Sequence, residues 1–287
     1  MRTELLFSGL LVFLFVSNVE VDGSLQKLTY TRWINLLRYA HGQLQRESPS
    51  PHESHLPRAE QVETIATAIY RHFFNVVFDL VATEDGRRLL PRSFPVDFLI
   101  MLDSSASIGS ENFQLALQII TTWIQVLDEE NFINDALRVS MISFSEPSKV
   151  IHEFSFTSGL DKAGVIDRIN STEYHDGKST STVQALWMAD SIFTKQSREG
   201  VTRVMLLLTD GWSHNQLALP FGVLWPSARL RLQHNVNVYV VGIGDQVNHN
   251  ELESIASNPD DEHLFEVEDY SMMLEILERI ESLDSLE

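Results

Sequence analysis

The sequence predicts an α/β domain over residues 95–287, a doubly wound, mostly parallel sheet flanked by helices, with a helical segment in front of it. Three observations carry this. Apolar runs of strand length recur at 96–102, 204–209 and 236–243; runs without polar alternation belong to strands buried on both faces. Between them lie stretches with apolar residues three and four positions apart, so strand alternates with helix. Oxygen-bearing residues also stand directly behind two of the runs, where open α/β sheets bind ligands.

The elements follow in order. Residues 5–16 are apolar behind Arg2, too few for the about 20 residues of a membrane span but enough for a secretory signal, expected over 1–23. Residues 24–94 read as a separate helical segment. Helices are expected at 25–45 and at 59–82, where Val62, Ile65, Ile69, Phe73, Val76 and Leu80 form a stripe. The Pro/Ser linker 47–57 breaks the chain between them. Two such stripes need burial, and self-association through residues 25–82 is expected, with docking on the following domain as the alternative.

After the first strand, Phe113, Leu117, Ile120, Ile124 and Leu127 mark an amphipathic helix. Residues 137–144 and 149–156 read as two strands joined by a turn at Glu146-Pro147. Helices are expected at 161–169 and 182–195, and strands at 204–209 and 236–243. Helical patterns at 228–234 and 250–256, a short strand at 263–267 and a last helix striped by Met273, Ile276 and Ile280 close the domain.

The chain carries a net charge of −19 and no cysteine. Residues 95–287 hold eleven Lys or Arg against thirty Asp or Glu. A field of that sign repels nucleic acid and anionic lipid, so neither is an expected partner, and no membrane insertion is expected of the mature chain. Without cysteine there is no disulfide framework and no thiolate metal site.

The residues that carry chemistry are Asp103, Ser105 and Ser107 behind the first strand, Thr180 in a later loop, and Asp210 behind the run 204–209. All five offer oxygen. Oxygen ligands suit hard cations, and Mg²⁺ takes one or two carboxylates with neutral oxygens completing the octahedron. Asp103 and Asp210 would supply charge, and the three hydroxyls would leave the ion able to take an outside anion such as a partner's Asp or Glu. Spacing by two turns alternate residues of the first loop toward one point.

On these residues the chain resembles the von Willebrand factor type A family, whose metal-ion-dependent adhesion site has the pattern Asp-x-Ser-x-Ser, a distant Thr and a distant Asp. The motif stands at Asp103-Ser-Ser-Ala-Ser107, followed by Ile108-Gly109 and Asn112-Phe113; Thr180 lies within residues 177–186 and Asp210 within Leu208-Thr-Asp-Gly211. The form is most similar to matrilin-type and collagen-associated A domains. The resemblance covers about residues 94–285 and implies a Rossmann-like fold, a divalent cation (Mg²⁺, with Mn²⁺ or Ca²⁺ as alternatives) and capture of an acidic protein ligand. Lys178-Ser179 stands where the family carries Gly-Gly or Gly-Arg, and Ser179 and Thr182 are alternatives to Thr180.

The segment after Asp210 is longer than the family usually has. Its Trp212, Leu217, Phe221 and Trp225 are candidates for ligand contact, with ordinary helix packing as the alternative for Trp225. Asn170-Ser-Thr172 is a glycosylation acceptor in form. Enzymatic patterns are incomplete: Gly211-Trp-Ser-His-Asn215 lacks the second glycine of a nucleophile elbow. The expected protein is secreted and non-enzymatic, a metal-dependent binding module of the extracellular matrix or cell surface. The alternative is a structural protein that assembles through its flanking helices.

Overall fold

In the computed structural model the described residues are 56–75, 95–211, 213 and 222–286. They belong to one compact unit, 49–287. The elements are α1 Arg58–Ile69, continued by a π-helical turn Tyr70–Asn75, then β1 Val96–Asp103, α2 Gly109–Gln125, α3 Glu130–Ile133, β2 Leu137–Phe144, β3 Val150–Phe154 and α4 Lys162–Asn170. They continue as α5 Thr182–Gln196, β4 Thr202–Thr209, α6 Leu224–Leu232, β5 Val236–Ile243, α7 His249–Ile255, α8 Asp260–His263, β6 Leu264–Val267 and α9 Tyr270–Leu286.

The six strands form one sheet in the order β3-β2-β1-β4-β5-β6. Every pairing is parallel except β2 with β3. The expected doubly wound sheet is therefore present, with its antiparallel strand at one edge.

Alternation along the strands builds two cores. Phe98, Ile100 and Leu102 of β1 join Val204, Leu206 and Leu208 of β4 in the core that includes α1, α2, α4 and α9. Leu99, Met101, Met205 and Leu207 face the other way, with α5, α6 and α7. All eight residues of β1 are buried, Asp97 included. That charge is matched at the start of the strand, where Arg198 donates its backbone N–H at 2.8 Å and its guanidinium at 2.9 Å, and Arg138 approaches within 3.3 Å.

Local signals start several helices. Asp161 caps α4 by accepting the Gly164 N–H at 2.8 Å, and Asn248 caps α7. Gly109 opens α2 at φ 74°, a backbone state that a side chain resists. Pro226 lies in the first turn of α6, where a missing N–H costs nothing.

The N-terminal segment differs from expectation. A boundary at 94/95 does not separate Arg58–Asn75 from the sheet, because these residues share its first core. Val62, Ala66, Ile69, Tyr70, Phe73 and Phe74 are buried there. Phe73 stands 5.0 Å from Tyr239, 5.1 Å from Trp123 and 5.7 Å from Phe98, centroid to centroid. Alongside, Arg58 bonds Asp269 at 3.1 Å, Glu275 at 3.1 Å and Ser271 at 2.8 Å, while Arg279 of α9 binds Glu63 of α1. The stripe expected to drive self-association is thus spent inside the chain as far as Phe74. Residues 1–55 and 76–94, with the expected signal and first helix, lie outside the described residues.

Candidate metal centre

β1 and β4 are adjacent and parallel, with Leu102 level with Leu208. Asp103 and Thr209 therefore end side by side, and Asp210 is the next residue out. A second loop closes the cluster. Ser105 pairs with Gly177 in an isolated parallel bridge, and Ala106 donates its N–H to the Gly177 carbonyl at 2.8 Å. Gly177 has to be glycine: a Cβ there would lie 2.2 Å from Ser145 Oγ and 2.4 Å from Ser145 Cβ. The same loop is pinned again by the Ser181 N–H to the Ser145 carbonyl at 2.7 Å.

Four of the five expected residues form one hydrogen-bonded chain. The Ser105 N–H donates to Asp103 Oδ1 at 2.9 Å, Ser105 Oγ lies 3.0 Å from Ser107 Oγ, and Ser107 Oγ donates to Asp210 Oδ1 at 3.0 Å. Thr180 is buried, and its hydroxyl oxygen lies beside the residue that follows Asp210: a Cβ built on Gly211 would stand 3.4 Å from it. Among the described residues no hydrogen bond reaches that hydroxyl.

The two carboxylates lack a positive partner among the described residues. Burial pushes the Asp103 carboxyl up from its ordinary 3.8 to about 7, against the hydrogen bonds from Thr209 and Ser105 and with added repulsion from Asp210. Burial also raises the Asp210 carboxyl, against the Ser107 hydrogen bond. Tyr270, the first residue of α9, has its hydroxyl raised by burial and then by the charges of Asp210 and Asp103. The donor set fits a hard cation: five oxygens, two of them charged, with no sulfur or nitrogen. Among the described residues there is no group of three or more His, Asp or Glu that could hold a metal, so of the five oxygens in the set only the two carboxylates carry charge.

Sequence reasoning missed Thr209, which donates to Asp103 Oδ2 at 2.6 Å, and Tyr174, whose hydroxyl donates to the Ser105 carbonyl at 3.1 Å. Thr209 ends its apolar run beside the Asp210 already singled out, and that position was the available signal. Of the ligand-contact candidates, Trp225 is half-buried in the first turn of α6. Trp212, Leu217 and Phe221 lie outside the described residues. Asn170 is exposed at the end of α4.

A doubly wound sheet with an oxygen-rich cluster at the carboxyl ends of its central strands defines an α/β domain of the ligand-binding class. The family model of the von Willebrand factor type A domain matches residues 97–279. The chain belongs to that family. Among curated relatives it is 30% identical to mouse vitrin over 185 residues, which cover 64% of this chain and 26% of vitrin. It is 30% identical to mouse matrilin-2 over 65% of this chain and 19% of that protein, and 29% identical to the human collagen alpha-1(XXI) chain over 69% and 19%. The matches thus span about a quarter or less of these relatives' lengths. Among solved structures, proximal thread matrix protein 1 from the mussel byssus, with a zinc-occupied adhesion motif, superposes with a TM-score of 0.56 at 22% identity, covering 66% of this chain and 46% of that one. At that identity the likeness concerns the fold.

Proposed function

We propose that Asp103, Ser105, Ser107, Thr180 and Asp210 hold a divalent cation, Mg²⁺ with Mn²⁺ and Ca²⁺ as alternatives, and that the domain captures an acidic side chain of an extracellular protein through it. The observation that carries this reading is the pair Asp103 and Asp210, two carboxylates raised by burial and joined through Ser107 with no cationic side chain between them among the described residues. A bound cation would supply the missing charge and an open coordination position. The residues' own part is to orient: Ser105 and Ser107 present hydroxyls from one loop, Thr180 from another, and Thr209 holds Asp103 from behind.

Capture of this kind is binding and not catalysis, and the expected setting is the secreted, extracellular one. The matrilin and collagen relatives support that setting. Among the described residues no helix is long and apolar enough to cross a membrane. The alternative, a structural protein working through its flanking helices with the metal incidental, loses the α1 stripe, which is buried inside the chain. Calorimetric titration of the chain with MgCl₂ or MnCl₂ tests the cation. Pull-down from extracellular extract with and without EDTA tests the capture. No heat of binding, or capture that persists in EDTA, rules the reading out.

A further inference from the structure

The loop that carries Ser105 and Ser107 is held by a stretch, residues 174–177, that carries none of the five oxygen ligands. Both backbone polar groups of Ser105 are engaged. Its N–H goes to Asp103, and its carbonyl accepts from the Tyr174 hydroxyl at 3.1 Å and the Ile108 N–H at 3.2 Å. Ser104 is engaged at three points: its N–H reaches the Phe144 carbonyl at 2.7 Å, its carbonyl accepts the Gly177 N–H at 3.4 Å, and its hydroxyl accepts the His175 N–H at 2.8 Å. With these backbone groups fixed, the directions open to the Ser105 and Ser107 hydroxyls are few.

The holding stretch is itself anchored away from the site. The Tyr174 ring packs on Phe113 of α2 at 5.3 Å, and its hydroxyl also lies 3.3 Å from Asp176 Oδ1. The His175 ring reaches the sheet edge: Nε2 is 3.0 Å from Ser143 Oγ of β2 and 3.3 Å from Glu153 Oε1 of β3, and Ser143 also bonds Glu153. Lys149 closes the anchor by donating to the His175 carbonyl at 2.9 Å. His175 is therefore gripped through its ring by two strands, and through its N–H it grips the loop that bears the hydroxyls.

We propose that Tyr174 and His175 are positioning residues of the cation site: they fix where the Ser105 and Ser107 hydroxyls stand and so set which divalent cation the site accepts. The inference rests on the cation-binding reading above. Its physical basis is the difference between the ions. Mg²⁺ demands near-octahedral oxygens at about 2.0–2.1 Å, whereas Ca²⁺ takes six to eight at about 2.3–2.6 Å in a flexible shell. Neutral hydroxyls add little charge, so their effect on the choice of ion comes from placement. A loosened loop penalises the small ion more than the large one.

The experiment is calorimetric titration of the full chain with MgCl₂ and, separately, CaCl₂, on wild type, Tyr174→Phe, His175→Ala and His175→Gln, beside thermal unfolding in EDTA. Tyr174→Phe removes one oxygen and keeps the ring on Phe113, so its cation-free unfolding midpoint moves little. Tyr174→Phe and His175→Ala should each weaken Mg²⁺ by about tenfold, the usual cost of losing a group behind a metal ligand, and weaken Ca²⁺ much less. His175→Gln, whose amide can still donate to Ser143 and Glu153, should keep the wild-type ratio of Mg²⁺ to Ca²⁺ affinity. Equal losses for both ions, or an unchanged Mg²⁺ affinity in Tyr174→Phe and His175→Ala, overturn the positioning role while leaving the cation site standing. A wild-type chain that binds neither ion overturns both.

Discussion

Thr209 donates its hydroxyl to Asp103 Oδ2 across 2.6 Å, tying the end of β4 to the end of β1. With the Ser105 N–H on Oδ1, both oxygens of this buried carboxylate rest on neutral donors. Neutral donors soften a buried charge but do not cancel it. The electrostatic deficit at the sheet edge is shared with Asp210, and replacing either acid tests what compensates it.

Asp210→Ala should abolish cation binding, a loss greater than about 100-fold, while thermal stability in EDTA stays level or rises because repulsion on Asp103 is removed. Thr180→Ala, which removes only a neutral hydroxyl, should keep measurable cation affinity and lose most partner capture. Calorimetry and chelated melts measure cation affinity and stability in the two variants, and pull-down from extracellular extract measures capture.

The pH dependence has a definite sign. Asp103 is raised to about 7 by burial, so the cation-free fold binds a proton there that the unfolded chain, with its ordinary 3.8, gives up. The stability this proton contributes is fully present below about 3.8 and is lost as pH rises through about 7. In EDTA the unfolding midpoint should fall as pH rises from about 4 to about 7, the interval between the unfolded and folded titrations, and level off above it. Added Mg²⁺ should raise it progressively more over the same interval, since the ion competes with that proton. Melting curves across pH with and without MgCl₂ provide the check; a cation effect that is flat with pH would contradict it.

Gly177→Ala forces a methyl group into Ser145 Oγ, 2.2 Å away, and into Ser145 Cβ at 2.4 Å. The loop must shift, carrying Thr180 with it and breaking the bridge to Ser105. Cation affinity should drop by at least about tenfold with the far-ultraviolet circular dichroism unchanged. Wild-type titration by this variant would mean that the loop does not contribute to the site.

Phe73→Ala should destabilise the domain by about 3–5 kcal/mol, the range for a buried Phe that leaves a cavity, read as a lower urea midpoint. A chain starting at Pro95 loses the six residues of the N-terminal segment that are buried among the described residues, so it should expose apolar surface and bind a hydrophobic dye more strongly than the full chain. Equal stability of the two chains would show that α1 is dispensable.

Asn170→Gln should remove a glycan-sized mass when the chain is expressed through a secretory pathway. Thr172 of the acceptor is buried, its hydroxyl 3.6 Å from Met141 Sδ, so modification has to precede folding of this turn. Identical masses for wild type and variant would exclude it.

Periodicity made the long elements legible. The stripe Phe113, Leu117, Ile120 and Ile124 is buried along α2, and the uninterrupted run after Pro95 is a strand buried at every position. The same signal put Asp103 and Asp210 at one edge of the sheet, because strands that start together and run parallel end together. The one-turn helices α3 and α8 were not legible, as four residues cannot display a 3.6-residue period. The destination of the α1 stripe was hidden for another reason: apolar spacing says that a face is buried, not what covers it. The wider turn at Tyr70–Asn75, with consecutive Phe73 and Phe74 both buried, also departs from the expected helical spacing. Tyr174, His175 and Gly177 act through tertiary hydrogen bonds and a close backbone approach, and local sequence carries no mark of either.

The docking of α1 on α9 also bears on how the chain acquires its structure. Arg58 and Asp269 are 211 residues apart, so an early-synthesised helix has to wait for the last one before its clasp can close. Contacts of such separation are entropically late, and domains rich in them fold slowly. On the ribosome, Phe73 and Phe74 would emerge long before Tyr239 and the α9 residues that help bury them. The nascent chain would therefore carry an exposed aromatic segment through most of translation, a binding site for chaperones and an aggregation hazard that the finished domain conceals.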